Sequence, residues 1–220
     1  MSTLVDSGTG TGDKSGNVSV SLTSAPTSGN ALVFAAVWAD NSSTLSSTPN
    51  SMTSLGINNL GGSRMEMFYK IADGTESATF SASLSTGGVT VIAAAAEYSG
   101  IDTYGSAVSN SGSSTTPTGA SNGTADTELN VFAIGLDIHT GGDFTSPTAG
   151  YTEDEDFGTG GCRVGIFSNL TGAASSTPSV TSPNDDWFTW HLVFNVTPSG
   201  IAIPVAMHHL RKIQQNQRGR

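Results

Sequence analysis

The stretch from Val89 to Gly100, VTVIAAAAEYSG, constrains this chain more than any other. A run of alanines suits a helix. However, Val89, Thr90, Val91 and Ile92 are β-branched and Tyr98 follows, and these types favour a pleated surface. Gly87-Gly88 stops the run on one side and Ser99-Gly100 on the other. Read as a strand, both alternating faces are apolar. Val89, Val91, Ala93 and Ala95 form one face, and Ile92, Ala94, Ala96 and Tyr98 the other. A strand of that kind is buried on both sides. Its small side chains let another layer approach closely. The pattern predicts a central strand of a β-sandwich.

Ala31–Ala39 (ALVFAAVWA) is apolar on both faces in the same way and is its expected companion. Asp185–Val196 (DDWFTWHLVFNV) is the last and strongest strand, with Phe188, Trp190, Leu192, Phe194 and Val196 in strict alternation. Weaker runs at 17–23, 51–57, 64–71, 78–84, 129–139 and 162–168 complete a set of short strands. Between them lie polar and glycine-rich segments. Residues 1–16 are polar and glycine-rich, 40–49 reads as a loop, 99–126 as a long surface loop or a loop with a short edge strand, the acidic run Glu153–Asp156 as part of another loop, and Pro178–Pro183 as short and turn-rich. With 220 residues and 36% apolar content, one large all-β domain is the natural size class. Cys162 is the only cysteine, so the fold stands on its core without an internal disulfide.

Charge is segregated. Of 8 basic and 18 acidic residues, Arg211, Lys212, Arg218 and Arg220 lie in the last ten positions, and no acidic residue follows Asp186. The body therefore carries 4 − 18 = −14 and the tail +4. An acidic body disfavours nucleic acid as its partner. No apolar run reaches the roughly 18 residues of a membrane span, so no membrane partner is expected. The first residues, MSTLVDSGTGTGDKSG, have neither a basic n-region nor an apolar h-region, so no signal peptide is expected. After Pro198-Ser199-Gly200 the character changes. Pro204 opens a segment to about Gln215 in which Ala206, Met207, Leu210 and Ile213 fall at helical spacing, with basic residues late. This predicts a short amphipathic helix that needs a surface to form. The chain divides into a sandwich domain, 1–199, and a basic attachment segment, 200–220. Met207, Leu210, Arg211, Lys212, Ile213, Arg218 and Arg220 are the residues expected to meet a capsid or a sister subunit.

Four phrases carry a resemblance. Gly29-Asn30-Ala31-Leu32-Val33 opens a strand that ends in Trp38, and Met67-Phe68-Tyr69-Lys70-Ile71-Ala72 follows. Tyr98-Ser99-Gly100-Ile101-Asp102 ends a third strand, and Asp186-Trp187 opens the last, to Val196. Over residues 16–197 the chain resembles the jelly-roll-like sandwich domains of phage virion proteins and of secreted bacterial proteins. The resemblance implies an antiparallel jelly-roll-like β-sandwich and no particular activity. The tail lies outside it.

Candidate sites are few. Asp137 and His139 share a strand face and Asp143 follows, which suits half of a metal site or an acid/base pair. The simpler reading is a polar strand end. Glu153–Asp156 offers several carboxylates to Ca²⁺ but lacks the spacing of a calcium loop, and Asp185-Asp186 is similar. His208 and His209 are adjacent and would face apart on a helix. Alternation assigns Trp38 and Trp190 to the core. It puts Trp187 on the opposite face, where it is the one aromatic suited to stacking on a sugar. Cys162 reads as a small buried hydrophobe. No catalytic, metal or cofactor residues are assigned, and no cofactor and no enzymatic activity are expected. The resulting expectation is a phage virion structural protein, a capsid decoration or auxiliary head protein. It would be fixed to other virion proteins through its tail, oligomeric and by analogy trimeric, and assembled in the host cytoplasm. The alternative is a tail-fibre or receptor-binding module that binds host glycan through Trp187 and the loops 40–49 and 103–126.

Overall fold

The computed structural model describes residues 1–12, 16–86, 88–122, 128–137, 142–159, 161–171 and 177–197. It is an antiparallel β-sandwich, as the alternation predicts. The strands are β1 (Thr3–Thr11), β2 (Asn17–Ser21), β3 (Ala31–Trp38), β4 (Thr53–Leu60), β5 (Ser63–Ile71), β6 (Thr79–Ser83), β7 (Val91–Ser99), β8 (Ile101–Ser114), β9 (Glu128–Leu136), β10 (Thr152–Thr159), β11 (Cys162–Asn169) and β12 (Asp185–Val196). One five-stranded sheet has the order β1-β7-β3-β5-β4, the second β10-β11-β9-β12-β8, and β2 pairs with β6 in a small third sheet. Each large sheet is built from one half of the chain. Gly100, at φ 77°, carries the backbone across from β7 to β8. The expected C-terminal helix and its seven contact residues lie outside the described residues.

The two-faced strands dictate the layering. Between the large sheets, Val33, Ala35 and Val37 of β3 and Ile92, Ala94, Ala96 and Tyr98 of β7 share one core with Val131 and Ala133 of β9 and Val164 and Ile166 of β11, while Trp190 and Phe194 of β12 lie over β4 and β5. The opposite faces of β3 and β7 present Leu32, Phe34, Ala36, Trp38, Val91, Ala93 and Ala95. The small sheet covers them with Val18, Val20, Phe80 and Ala82. The outer face of the second sheet is roofed by loops: Phe144, Tyr151 and Val180 close over Phe132, Ile134, Phe167 and Trp187.

Three strands lie where side-chain alternation predicts none, apart from the short edge strand allowed within 99–126. β1 is polar and glycine-rich because it lies flat on β2. A Cβ on Gly8 would come within 2.8 Å of the Ser21 carbonyl, and Gly10 and Gly12 face Ser19 and Asn17 more closely still. Alternate glycines there are a strand pattern written in missing side chains. β8 occupies much of the segment read as least structured. It pairs with β12 along nearly its whole length, and that ladder is made by backbone groups that composition does not report. β10 carries the acidic run, which belongs to an edge strand and not to a loop.

All four edges of the large sheets are irregular. The register slips at Val5 of β1, Leu55 of β4, Asp154 of β10, and Gly105 and Asp102 of β8. In each case the extra residue sits on the edge strand, while the pairings β3–β5, β3–β7, β9–β11 and β9–β12 run without interruption. Bulges twist an edge away from in-register pairing with another chain.

Gly10→Ala is expected to lower the unfolding free energy by about 1–3 kcal/mol, the usual cost of forcing extra atoms into a packed contact. Gly62→Ala, whose added Cβ would meet nothing within 4 Å, should change it by no more than about 0.5 kcal/mol. Equal urea midpoints for the two variants would refute the close seating of β1 on β2.

Candidate functional site

Trp187 does not form an exposed stacking surface. It is 7% exposed, lies over Gly112, and donates its indole N–H to the Ser114 hydroxyl at 3.0 Å. The expectation failed because the outer face of this sheet is roofed, so alternation away from the central core still ends in burial. Trp38 and Trp190 are core residues, as alternation assigned them.

The acidic run is split by the β10 bulge. The bulged residue, Asp154, turns inward and accepts the Tyr98 phenol proton at 2.6 Å and the Ser168 hydroxyl at 3.0 Å. Tyr98 belongs to the first sheet and Ser168 to the second, so one carboxylate ties the layers together. Burial raises the Asp154 carboxyl above the usual range, against the pull of those two donors. Burial and the neighbouring carboxylate push the Tyr98 phenol well up. Asp156 serves elsewhere: it accepts Arg163 Nε at 2.6 Å and the Phe144 amide at 2.9 Å. Arg163 Nη2 reaches Asp143 at 2.7 Å, and its guanidinium lies 5.2 Å from the Phe144 ring centre. The side chains of Arg163 and Asp156 are each 5% exposed, so this is a buried ion pair clamping the 142–145 loop onto β10 and β11.

Asp137 and Asp143 do not come together. Asp143 is on Arg163, while Asp137 accepts the Ser63 hydroxyl and donates its amide to the Asp186 carbonyl. His139 lies outside the described residues. Asp137 and Asp186 flank Gly61 in the β4–β5 turn, and the Cys162 thiol lies within the field of Asp137 and Asp185. Burial first, and those two charges second, push the thiol up to about 12, so Cys162 is a protonated, buried group. Among the described residues no three of His, Cys, Asp and Glu are grouped to hold a metal ion.

Sequence reasoning missed His191. It shares the roofed face with Trp187 and is fully buried. Its Nε2 is 3.0 Å from Asn130 Oδ1 and 3.3 Å from the Tyr151 phenol, and its Nδ1 is 3.3 Å from the Ala120 carbonyl. The Nδ1 contact pins residue 120 to the sheet. The available signal was its position two residues from Thr189, on a face that looked solvent-exposed. Other carboxylates fasten turns. Glu76 accepts Lys70 Nζ at 2.6 Å and the Asp73 and Gly74 amides. Asp40 is held down to about 2, first by the Ser43 hydroxyl and then by Ser42. These charged and polar groups act as struts between strands and loops.

No protein-family model, no curated protein and no solved structure matches this chain.

A carboxyl with a raised folded-state pKa gives its full stabilisation below the unfolded value and loses it as pH rises through the folded value. Asp154→Asn is therefore expected to raise the melting temperature at pH 7, with the gain vanishing on acidification through the Asp154 range. A pH-independent difference would refute the buried charge. Arg163→Met should cost about 3–5 kcal/mol, because Asp156 is left charged in the interior. Adding Asp156→Asn should recover part of that loss in urea titrations.

Proposed function

We propose that this chain is a structural protein of a phage virion, a sandwich displayed on the head as a decoration and attached through residues 200–220. The observation that carries the reading is a division of labour along the chain. The body's sheet faces are covered and its edge strands are bulged. Its charge of −14 sits apart from a tail that holds four of the eight basic residues. Display in many copies demands a body that does not stick to its neighbours. Bulged edges suppress strand pairing, and like-charged bodies repel one another. A basic, partly apolar tail suits an acidic surface on the particle. The resemblance of residues 16–197 to sandwich domains of virion proteins points the same way. Sister copies, arranged as a trimer, belong to the same reading, and the particle is its location.

Immunogold electron microscopy with an antibody to this chain, on particles from the source culture, tests the proposal. Label spread regularly over capsids is expected. Label confined to a tail tip would favour a receptor-binding part instead, and no label on any particle would overturn the virion reading. Charge reversal at Arg211, Lys212, Arg218 and Arg220 should abolish binding to capsids stripped of the protein, with the circular dichroism of the body unchanged.

A further inference from the structure

The two halves of the sandwich meet without sharing a ladder. All strand pairs of the first sheet and of the small sheet lie before Gly100, and all pairs of the second sheet lie after it. The isolated bridges Leu45–Leu84, Thr118–Ser179 and Thr145–Thr181 also stay within one half. What joins the halves is packed side chains, together with hydrogen bonds that side chains make, such as Tyr98 to Asp154, Ser63 to Asp137 and Ser2 to the Leu170 carbonyl. The covalent link is equally spare. β7 ends at Ser99 and β8 begins at Ile101, so one residue turns the chain from sheet to sheet.

That residue has to be a glycine. Gly100 holds φ 77°, a region that β-branched residues avoid, and a Cβ there would come within 2.5 Å of the Met1 carbonyl oxygen. Extending the Ser99–Ile101 hinge would run β7 into β8 as one long strand and carry the second half away from the first. Two chains opened in this way rebuild both sandwiches by exchanging halves. Each interlayer contact is then regained between chains, and only the hinge differs. The bulged edges do not guard this route, because exchange adds no strand to an edge. Proximity favours the closed chain, since a short tether holds its halves at an effective concentration on the order of millimolar. The closed turn is also unstrained as long as residue 100 is glycine. A short hinge under strain invites exchange.

We propose that Gly100 is the hinge of a half-sandwich exchange, in which a second copy of this chain is the partner that the inner sheet faces fit and the glycine's left-handed turn keeps those faces within one chain. Strain at this position, or refolding in concentrated solution, gives intertwined pairs. The proposal does not rest on the virion reading.

A covalent marker across the halves tests it. Asn58 of β4 donates its side-chain amide to the Asn110 carbonyl of β8 at 2.5 Å, so cysteines at both positions (Asn58→Cys and Asn110→Cys) lie within reach of a short bismaleimide. The buried Cys162 stays out of the reaction. Linking is done after dilution, when surface contacts between copies have dissociated. The chain with Gly100 should link within itself and run as a monomer on a denaturing gel. Adding Gly100→Val should turn most of it into a linked dimer, with the circular dichroism unchanged. A folded Gly100→Val protein that links only within the chain would overturn the proposal, as would links between chains when Gly100 is present and the protein has stayed dilute. Should the valine variant fail to fold, refolding of the Gly100 chain from urea carries the test. The linked-dimer fraction should rise several-fold as the refolding concentration approaches the millimolar range, and a fraction that ignores concentration would overturn the exchange.

Discussion

A strand with apolar side chains on both faces cannot lie at a surface, and this chain has several. β3 and β11 are buried at every position, and β7 and β9 at all but one. Two sheets facing each other satisfy only their inner faces. The outer faces need covers of their own. The first sheet receives one from β2 and β6, which are short enough to need only one buried side each. The second receives loops stitched by the bridges Thr118–Ser179 and Thr145–Thr181. The layering is thus a consequence of the alanine-rich and valine-rich runs at the centre.

What could be read from the sequence follows from the same physics. β3, β7, β9 and β12 announce themselves because burial writes a pattern into side chains. β1, β8 and β10 are edge strands. Their membership is decided by backbone hydrogen bonds to a neighbour, and their side chains answer to solvent or to close packing. Gly8, Gly10 and Gly12 show no apolar alternation, yet their missing side chains make room for β2. Glu153 to Asp156 looked like one acidic patch. A bulge turns Asp154 toward Tyr98, and Asp156 meets Arg163, so neighbours in sequence do different work. Trp187 was misplaced for a further reason. Alternation tells which face a residue occupies, not whether a loop later covers that face.

The polar interior shows how a body poor in basic residues carries so many carboxylates. Asp154 is matched by hydroxyls, Asp156 by one arginine shared with Asp143, Glu76 by Lys70 and two backbone amides, and Asp40 by hydroxyls and backbone amides. Amides and hydroxyls stabilise a carboxylate without bringing a compensating charge. The body therefore keeps a large negative surplus and a closed interior at once. Cys162, protonated and buried, stands apart from this network's chemistry, and the fold does not depend on the redox state of its surroundings.

The crossing at Gly100 has a consequence for how the molecule comes into being. Because the first sheet uses only residues 3–99 and the second only 101–196, synthesis from the N-terminus completes one sheet before the other begins. The small outer sheet belongs to the early half, so one side of the first sheet is already sealed. Its other side, with Val33, Val37 and Ile92, stays wet until β9 and β11 of the second half emerge. The nascent chain must hold an amphipathic half-sandwich in solution through the synthesis of the second half, a state whose exposed face invites association. Bulged edges blunt that hazard before the second sheet exists, at the stage when the polypeptide is most in need of it.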